Sequence, residues 1–217
     1  KMKKITITTS LMLLFTISIL SQITLVKDIV TTDGDAWVNN FIEGNNFAIF
    51  SYNGFNGSQI WATDGTEAGT INISTNVADV FGLQQENILF NNELYFVIDN
   101  GSVGSEVFKT DGTLAGTKLL KDINPNFGSN PENFTIFNGQ LFFTADDGFN
   151  GNQLWKTDGT EVGTVLVSAN PKFPTSLIVF NGNLYFQAQD NNFDSELWKS
   201  DGTGVGTVLL KDIDPAG

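Results

Sequence analysis

The chain has 217 residues, 41% of them hydrophobic, enough to bury a sizeable core in one domain. It contains no Cys, no His and no Arg, which excludes disulfides, zinc sites, Ser–His and Cys–His nucleophile pairs and bidentate clamps for carboxylate or phosphate. Its 24 acids against 11 lysines give a net charge of −13, a sign that repels nucleic acid and anionic lipid and suits cations, basic partners or plain solvation.

Met2-Lys3-Lys4 is a short basic start, followed by an apolar stretch from Ile5 to Leu20 and the small residue Ser21. Basic start, apolar run and small-residue exit in that order predict a signal peptide over residues 1–21, with a mature chain beginning at Gln22. The run is too short for a comfortable membrane span, and no later segment replaces it. The expected location is therefore secreted, extracellular or at the cell surface, with no membrane span in the mature chain.

From Ile23 onward one pattern recurs. "QIWATDGTEAGT" (59–70), "EVFKTDGTLAGT" (106–117), "QLWKTDGTEVGT" (153–164) and "ELWKSDGTGVGT" (196–207) are four copies of one unit. Asp64, Asp111, Asp158 and Asp201 mark its register at spacings of 47, 47 and 43 residues. Upstream of each lies an aromatic-rich run, such as "GQLFFTADD" or "GNLYFQAQD", and after each Gly-Thr comes another apolar run, such as "KLLKDI". Each unit reads as four short strands. In the third copy they fall at roughly 133–138, 140–146, 153–157 and 164–168. Asn138-Gly139 and Asn181-Gly182 suit two-residue hairpins, because both positions tolerate positive φ.

Strand polarity selects the architecture. Leu94-Tyr95-Phe96, Leu141-Phe142-Phe143 and Leu184-Tyr185-Phe186 are continuous apolar runs rather than alternating ones, so both faces of these strands must be covered. Blades of a β-propeller meet that demand, since each sheet packs between two neighbours, and four strands in about 45 residues is blade-sized. The expected fold is all-β: a propeller of four-stranded antiparallel blades spanning 22–217, with repeats ending near 70, 117, 164 and 207. A parallel β-solenoid is the alternative. Ile23–Ile29 resembles the fourth-strand run Val208–Ile213 with no strands ahead of it, which predicts an incomplete ring truncated at the C-terminus; a closed four-bladed ring is the competing outcome.

The copies resemble the ELWxxDGT repeat of large secreted bacterial proteins, whose unit reads approximately ELWxxDGTxxGTxLVKDI. Glu196-Leu197-Trp198, Asp201-Gly202-Thr203, Gly206-Thr207 and Leu210-Lys211-Asp212-Ile213 match it almost completely. Phe108 in place of Trp, Gln59 and Gln153 in place of Glu, and Ser168-Ala169 in place of Lys-Asp depart from it. The resemblance implies a building block and no particular activity.

Asp64, Asp111, Asp158 and Asp201 recur once per unit, whereas an active site is normally single. They are therefore expected to be structural turn residues. Glu106 and Glu196 precede the apolar pair of the third strand and are expected to meet Lys109 and Lys199, or a neighbouring blade. Trp61, Phe108, Trp155 and Trp198 read as core rather than a carbohydrate platform. Asp146, Asp147 and Asn150 in one loop, with Asp190 and Asp194 in its equivalent, are calcium candidates, although neither loop has a full calcium-loop pattern. No other cofactor and no catalytic residue is expected. The functional reading is a secreted non-catalytic scaffold or binding module, for adhesion or for an extracellular glycan or protein ligand. The alternatives are a sialidase-type propeller hydrolase, whose substrate-holding arginines this chain lacks, and a calcium-binding surface repeat. Binding specificity is expected in the connectors that differ between copies: Asp28–Ala36, Ser74–Glu86, Asn124–Asn133 and Ala169–Thr175.

Overall fold

A computed structural model describes residues 25–29, 37–54, 57–74, 82–99, 101–190 and 194–213. The expected signal peptide (1–21) and the expected mature start at Gln22 lie outside them. Blade 1 comprises β1 (Trp37–Glu43), β2 (Ala48–Gly54), β3 (Gly57–Thr63) and β4 (Ile71–Asn72). Blade 2 comprises β5 (Gly82–Phe90), β6 (Glu93–Asp99), β7 (Ser105–Thr110) and β8 (Lys118–Leu119). Blade 3 comprises β9 (Glu132–Phe137), β10 (Gln140–Asp146), β11 (Asn152–Thr157) and β12 (Val165–Ser168). Blade 4 comprises β13 (Lys172–Phe180), β14 (Asn183–Gln189), β15 (Ser195–Ser200) and β16 (Val208–Lys211). Each is an antiparallel meander in which strands pair only with their chain neighbours.

The tight turns form where the sequence demands them. Asn138 (φ 48°) and Gly139 (φ 71°) join β9 to β10, and Asn181 (φ 46°) and Gly182 (φ 73°) join β13 to β14. Two successive positive φ values match the right-handed twist of the flanking strands. Register then makes the blades equivalent position by position: Ala48, Leu94, Leu141 and Leu184 stand opposite Thr63, Thr110, Thr157 and Ser200.

Alternation along the second strand explains the continuous apolar runs. Leu94, Phe96 and Ile98 of β6 pack with Ile49 and Ile60 of blade 1, whereas Tyr95 points the other way, into a cluster with Leu141 and Phe143 of blade 3. In β10 the same split sends Phe142 toward Leu184 and Phe186 of blade 4. Three clusters thus lie between blades 1 and 2, 2 and 3, and 3 and 4. The four blades form an open arc, an incomplete β-propeller.

The first strands of successive blades contact one another, β1 with β5, β5 with β9 and β9 with β13, so they line the inner side of the arc. Each is kinked by a bulge. Side chains at these kinks bridge the blades: Glu86 Oε1 accepts the Phe134 N–H at 2.7 Å, and Asn133 Oδ1 accepts that of Ser176 at 3.2 Å.

Residues 25–29, expected to behave as an orphan fourth strand, carry no strand pairing. Lys27 Nζ nevertheless donates to the carbonyls of Thr70 (2.7 Å) and Glu67 (3.4 Å) in blade 1. Lys121, at the end of blade 2, makes the equivalent bonds to Thr164 and Glu161 of blade 3. The segment therefore contacts blade 1 as the end of a preceding blade would.

If inter-blade packing carries the fold, Phe142→Ala, which empties a site 1% exposed between blades 3 and 4, should cost about 3–5 kcal/mol. Urea unfolding followed by circular dichroism measures it, and a loss near zero would contradict this packing.

Candidate functional site

In a meander the first and third turns of a blade share one end, and the second turn shares the other with the connector to the next blade. The DGT loops occupy the first of these ends. Asp158 Oδ1 accepts the Thr160 N–H (2.8 Å) and hydroxyl (2.7 Å), and Thr160 Oγ1 accepts the Gly163 N–H at 2.9 Å. Thr164 donates its hydroxyl to the Thr160 carbonyl at 2.7 Å and lies 2.8 Å from Thr157 Oγ1, which accepts the Gly159 N–H. The same bonds recur at Asp64, Asp111 and Asp201. Gly159 takes φ +98°, a region open to glycine. Gly163 is required for space instead: a Cβ there would fall well inside 3.0 Å of the Asp158 carboxylate. The Thr hydroxyl is the first cause that holds each of the four carboxyls below its ordinary pKa.

The opposite end carries the second turns and the connectors. Here Glu106 differs from its expected role. Lys109 pairs with Glu93 at 2.7 Å, while the fully buried Glu106 carboxylate accepts the N–H groups of Asn124 (3.1 Å) and Ser129 (2.9 Å) and the Ser129 hydroxyl (2.5 Å). Glu196 likewise accepts the Ile213 N–H at 2.7 Å. These acids bind the connector that follows their own blade. In blade 3, Gln153 holds its connector by donating to the Ala169 carbonyl at 3.2 Å. Burial pushes the Glu106 carboxyl up to about 7, against the lowering effect of the Ser129 hydroxyl and the Asn124 and Ile123 N–H groups.

The connector so held continues across the blade boundary. Ser129 and Asn130 donate to the Ser105 carbonyl, and Asp146 donates its N–H to Ser129. Phe127 stands out from it at 86% exposure, beside a surface hollow formed with Asp99, Gly101, Val103 and Asn126. Phe149, in the adjoining turn of blade 3, is 85% exposed. Gly148 of that turn lies against Asn124 of the connector.

The calcium candidates fall at this end, in two different blades. Asp146 Oδ1 accepts the Gly148 N–H, and Asp147 Oδ1 accepts those of Phe149 and Asn150. Asn150 Nδ2 donates to Asp147 Oδ2 at 3.2 Å. Asp190 Oδ1 accepts the Asp194 N–H at 3.1 Å. Among the described residues no three acids converge on one point. Of the repeated aromatics, Phe108 and Trp155 are buried between blades, and Trp198 packs on the third cluster. Trp61 is half-buried on the outer face of blade 1, under Lys27 at 5.7 Å.

Phe127 lies within the connector Asn124–Asn133 expected to carry specificity, whereas Phe149 lies in a turn expected only to offer calcium ligands. Their signal was present: an aromatic between turn-forming residues, as in Asn126-Phe127-Gly128 and Gly148-Phe149-Asn150. Of the expected connectors, residues 30–36 and 75–81 lie outside the described residues, and β5, β9 and β13 begin within the second, third and fourth.

The fold and its ends define a repeat of propeller blades. No family model matches the chain, and no curated protein does. Solved structures similar to it include a puromycin hydrolase mutant complexed with PGG, at 15% identity and TM-score 0.49, over 83% of this chain and 30% of that one. An α-L-arabinofuranosidase from Clostridium thermocellum is 15% identical, with TM-score 0.37, over 78% of this chain and 70% of that one. A nidogen/laminin complex is 10% identical, with TM-score 0.41, over 83% and 63%.

Two predictions follow from these ends of the blades. Gly163→Ala should destabilise by about 1–3 kcal/mol through overpacking. In an Asp158→Ala background, which removes the clashing carboxylate, it should cost clearly less; a double-mutant cycle of unfolding free energies measures the coupling. The second concerns pH. Glu106 holds its proton more tightly folded than unfolded, so its contribution is fullest below about 4.5 and declines as pH rises toward about 7. Glu106→Gln should flatten that decline by on the order of a few kcal/mol in the wild-type-minus-variant difference, read from urea melts across the window.

Proposed function

We propose that the chain is a non-catalytic extracellular binding module of the ELWxxDGT type, and that the connector end of its blades is the ligand-binding face. The observation that carries this reading is the exposure of Phe127 and Phe149, 86% and 85%, on the end whose loops differ from blade to blade. Most other phenylalanines of blades 2 and 3 are core. Exposed rings flanked by Asp99, Asn126, Asp147 and Asn150 offer an apolar platform with hydrogen-bonding groups at its edge, the composition that suits a sugar ring or a polar peptide.

The repeated acids support a non-catalytic role, because the DGT carboxylates are occupied in closing their own loops. A general acid or base must instead present its carboxyl to a substrate. The absence of His, Cys and Arg removes the usual nucleophile–base pairs and anion clamps.

A glycan array probed with the secreted protein is expected to give a defined set of binders. Phe127→Ala and Phe149→Ala should each reduce that binding while leaving the melting temperature unchanged, as fits exposed side chains. Turnover of glycoside or peptide substrates by the pure protein, or binding indifferent to both substitutions, would defeat the reading.

A further inference from the structure

The three internal interfaces repeat one set of contacts, and the two outer faces of the arc carry its two halves. On the side toward blade 3, blade 2 presents Phe90, Tyr95, Val107, Leu120 and Ile123, all buried. Register places Phe180, Tyr185 and Leu197, and the repeat of KLLKDI (118–123) as VLLKDI (208–213) places Leu210 and Ile213, at the same positions of blade 4. Each is again aromatic or aliphatic, yet Phe180, Leu210 and Ile213 are 60%, 44% and 63% exposed. A face meant for water does not need those residue types.

A ring contact marks each internal interface, and a lysine contact is added where blade 3 meets blade 4. A ring of one blade lies beneath the DGT glycine of the next: Tyr95 Oη stands 2.7 Å, and Phe142 Cζ 3.1 Å, from where Cβ atoms on Gly159 and Gly202 would be. Phe47, from the turn between β1 and β2, fills the same place beneath Gly112. A lysine also reaches the loop, with Lys156 Nζ donating to the Gly202 carbonyl at 2.9 Å. Blade 4 has Tyr185 and Lys199 at the positions of Phe142 and Lys156. At the other end of the arc, no described atom lies within 4 Å of a Cβ placed on Gly65. Elsewhere on blade 1 Phe41 is 65% exposed, and Tyr52 packs on the half-buried Trp61.

We propose that the outer face of blade 4 docks on blade 1 of a second copy of this chain, head to tail, with Tyr185 beneath Gly65 and Lys199 at its carbonyl. The contact continues the internal blade stack across two chains, and it sets a lysine against the acidic loop of Asp64 as Lys156 is set against that of Asp201. Such a heterologous contact adds copies until the rotation closes a ring or extends a filament. One element competes with it. Lys27 already holds the Glu67 and Thr70 carbonyls, the pair that Lys211 of the incoming blade would take by analogy with Lys121, so residues 25–29 must move aside.

Sedimentation velocity over a wide concentration range tests this on the whole chain. The expected result is reversible association, weakened about tenfold or more by Phe180→Asp; that side chain is largely exposed, so the monomer stays folded. Lys27→Ala, which frees the two carbonyls, should tighten association. In a mixture of isotope-labelled and unlabelled chains, zero-length carbodiimide cross-linking should join Lys199 of one copy to Asp64 of another. A strictly monomeric chain at every concentration would overturn the proposal. So would association that survives Phe180→Asp, or cross-links that join blade 4 only to blade 4.

Discussion

A four-stranded sheet with apolar side chains on both faces cannot persist alone in water, and this requirement organises the molecule. Tyr95 and Phe96 are neighbours in sequence, and each is fully buried, yet they belong to different clusters on opposite sides of one sheet. The blade is therefore defined as much by its neighbours as by its own hydrogen bonds. Burial of this kind scales with apolar area and specifies little about partner identity, so the interfaces need a second device to set their alignment. The ring beneath the glycine of the next DGT loop supplies it. It brings an aromatic against backbone that has no Cβ, and the φ values of Gly112, Gly159 and Gly202 allow only glycine there without strain.

The two ends of the blades divide the work. At the DGT end, eight consecutive residues satisfy one another through short local hydrogen bonds, so the loop's shape is set within itself while the preceding blade adds a ring and lysine contacts from outside. At the other end, Glu106 and Glu196 reach forward to the backbone of the connector that leaves their blade. A constant end can then be repeated while the variable end changes its exposed residues, as it does at Phe127 and Phe149.

Much of this was legible in the sequence because its chemistry is local. The Asn-Gly turns, the continuous apolar runs and the register marked by Asp64, Asp111, Asp158 and Asp201 all act within a few residues, and the strands fall where they indicated. The partners of Glu106 were not legible. Lys109 stands three residues away and offers the obvious ion pair, but it is taken by Glu93, and the donors to Glu106 lie on a connector 18 and 23 residues downstream. The exposed rings were hidden for a related reason. Nothing in a residue's type separates Phe149 from the core phenylalanines until the turn around it is closed, with Asp147 drawing its own loop's N–H groups inward.

The meander has one more consequence. Every strand pairs with its chain neighbour, and every cluster joins only successive blades, so the chain behaves as a one-dimensional array of coupled units. Loop closure between such near neighbours costs little entropy, and structure can spread along the array from wherever two adjacent blades first meet. The inner interfaces are protected on two sides and the outer sheets on one. Opening the interface between blades 2 and 3 therefore leaves the blades on either side of it folded on their remaining neighbours.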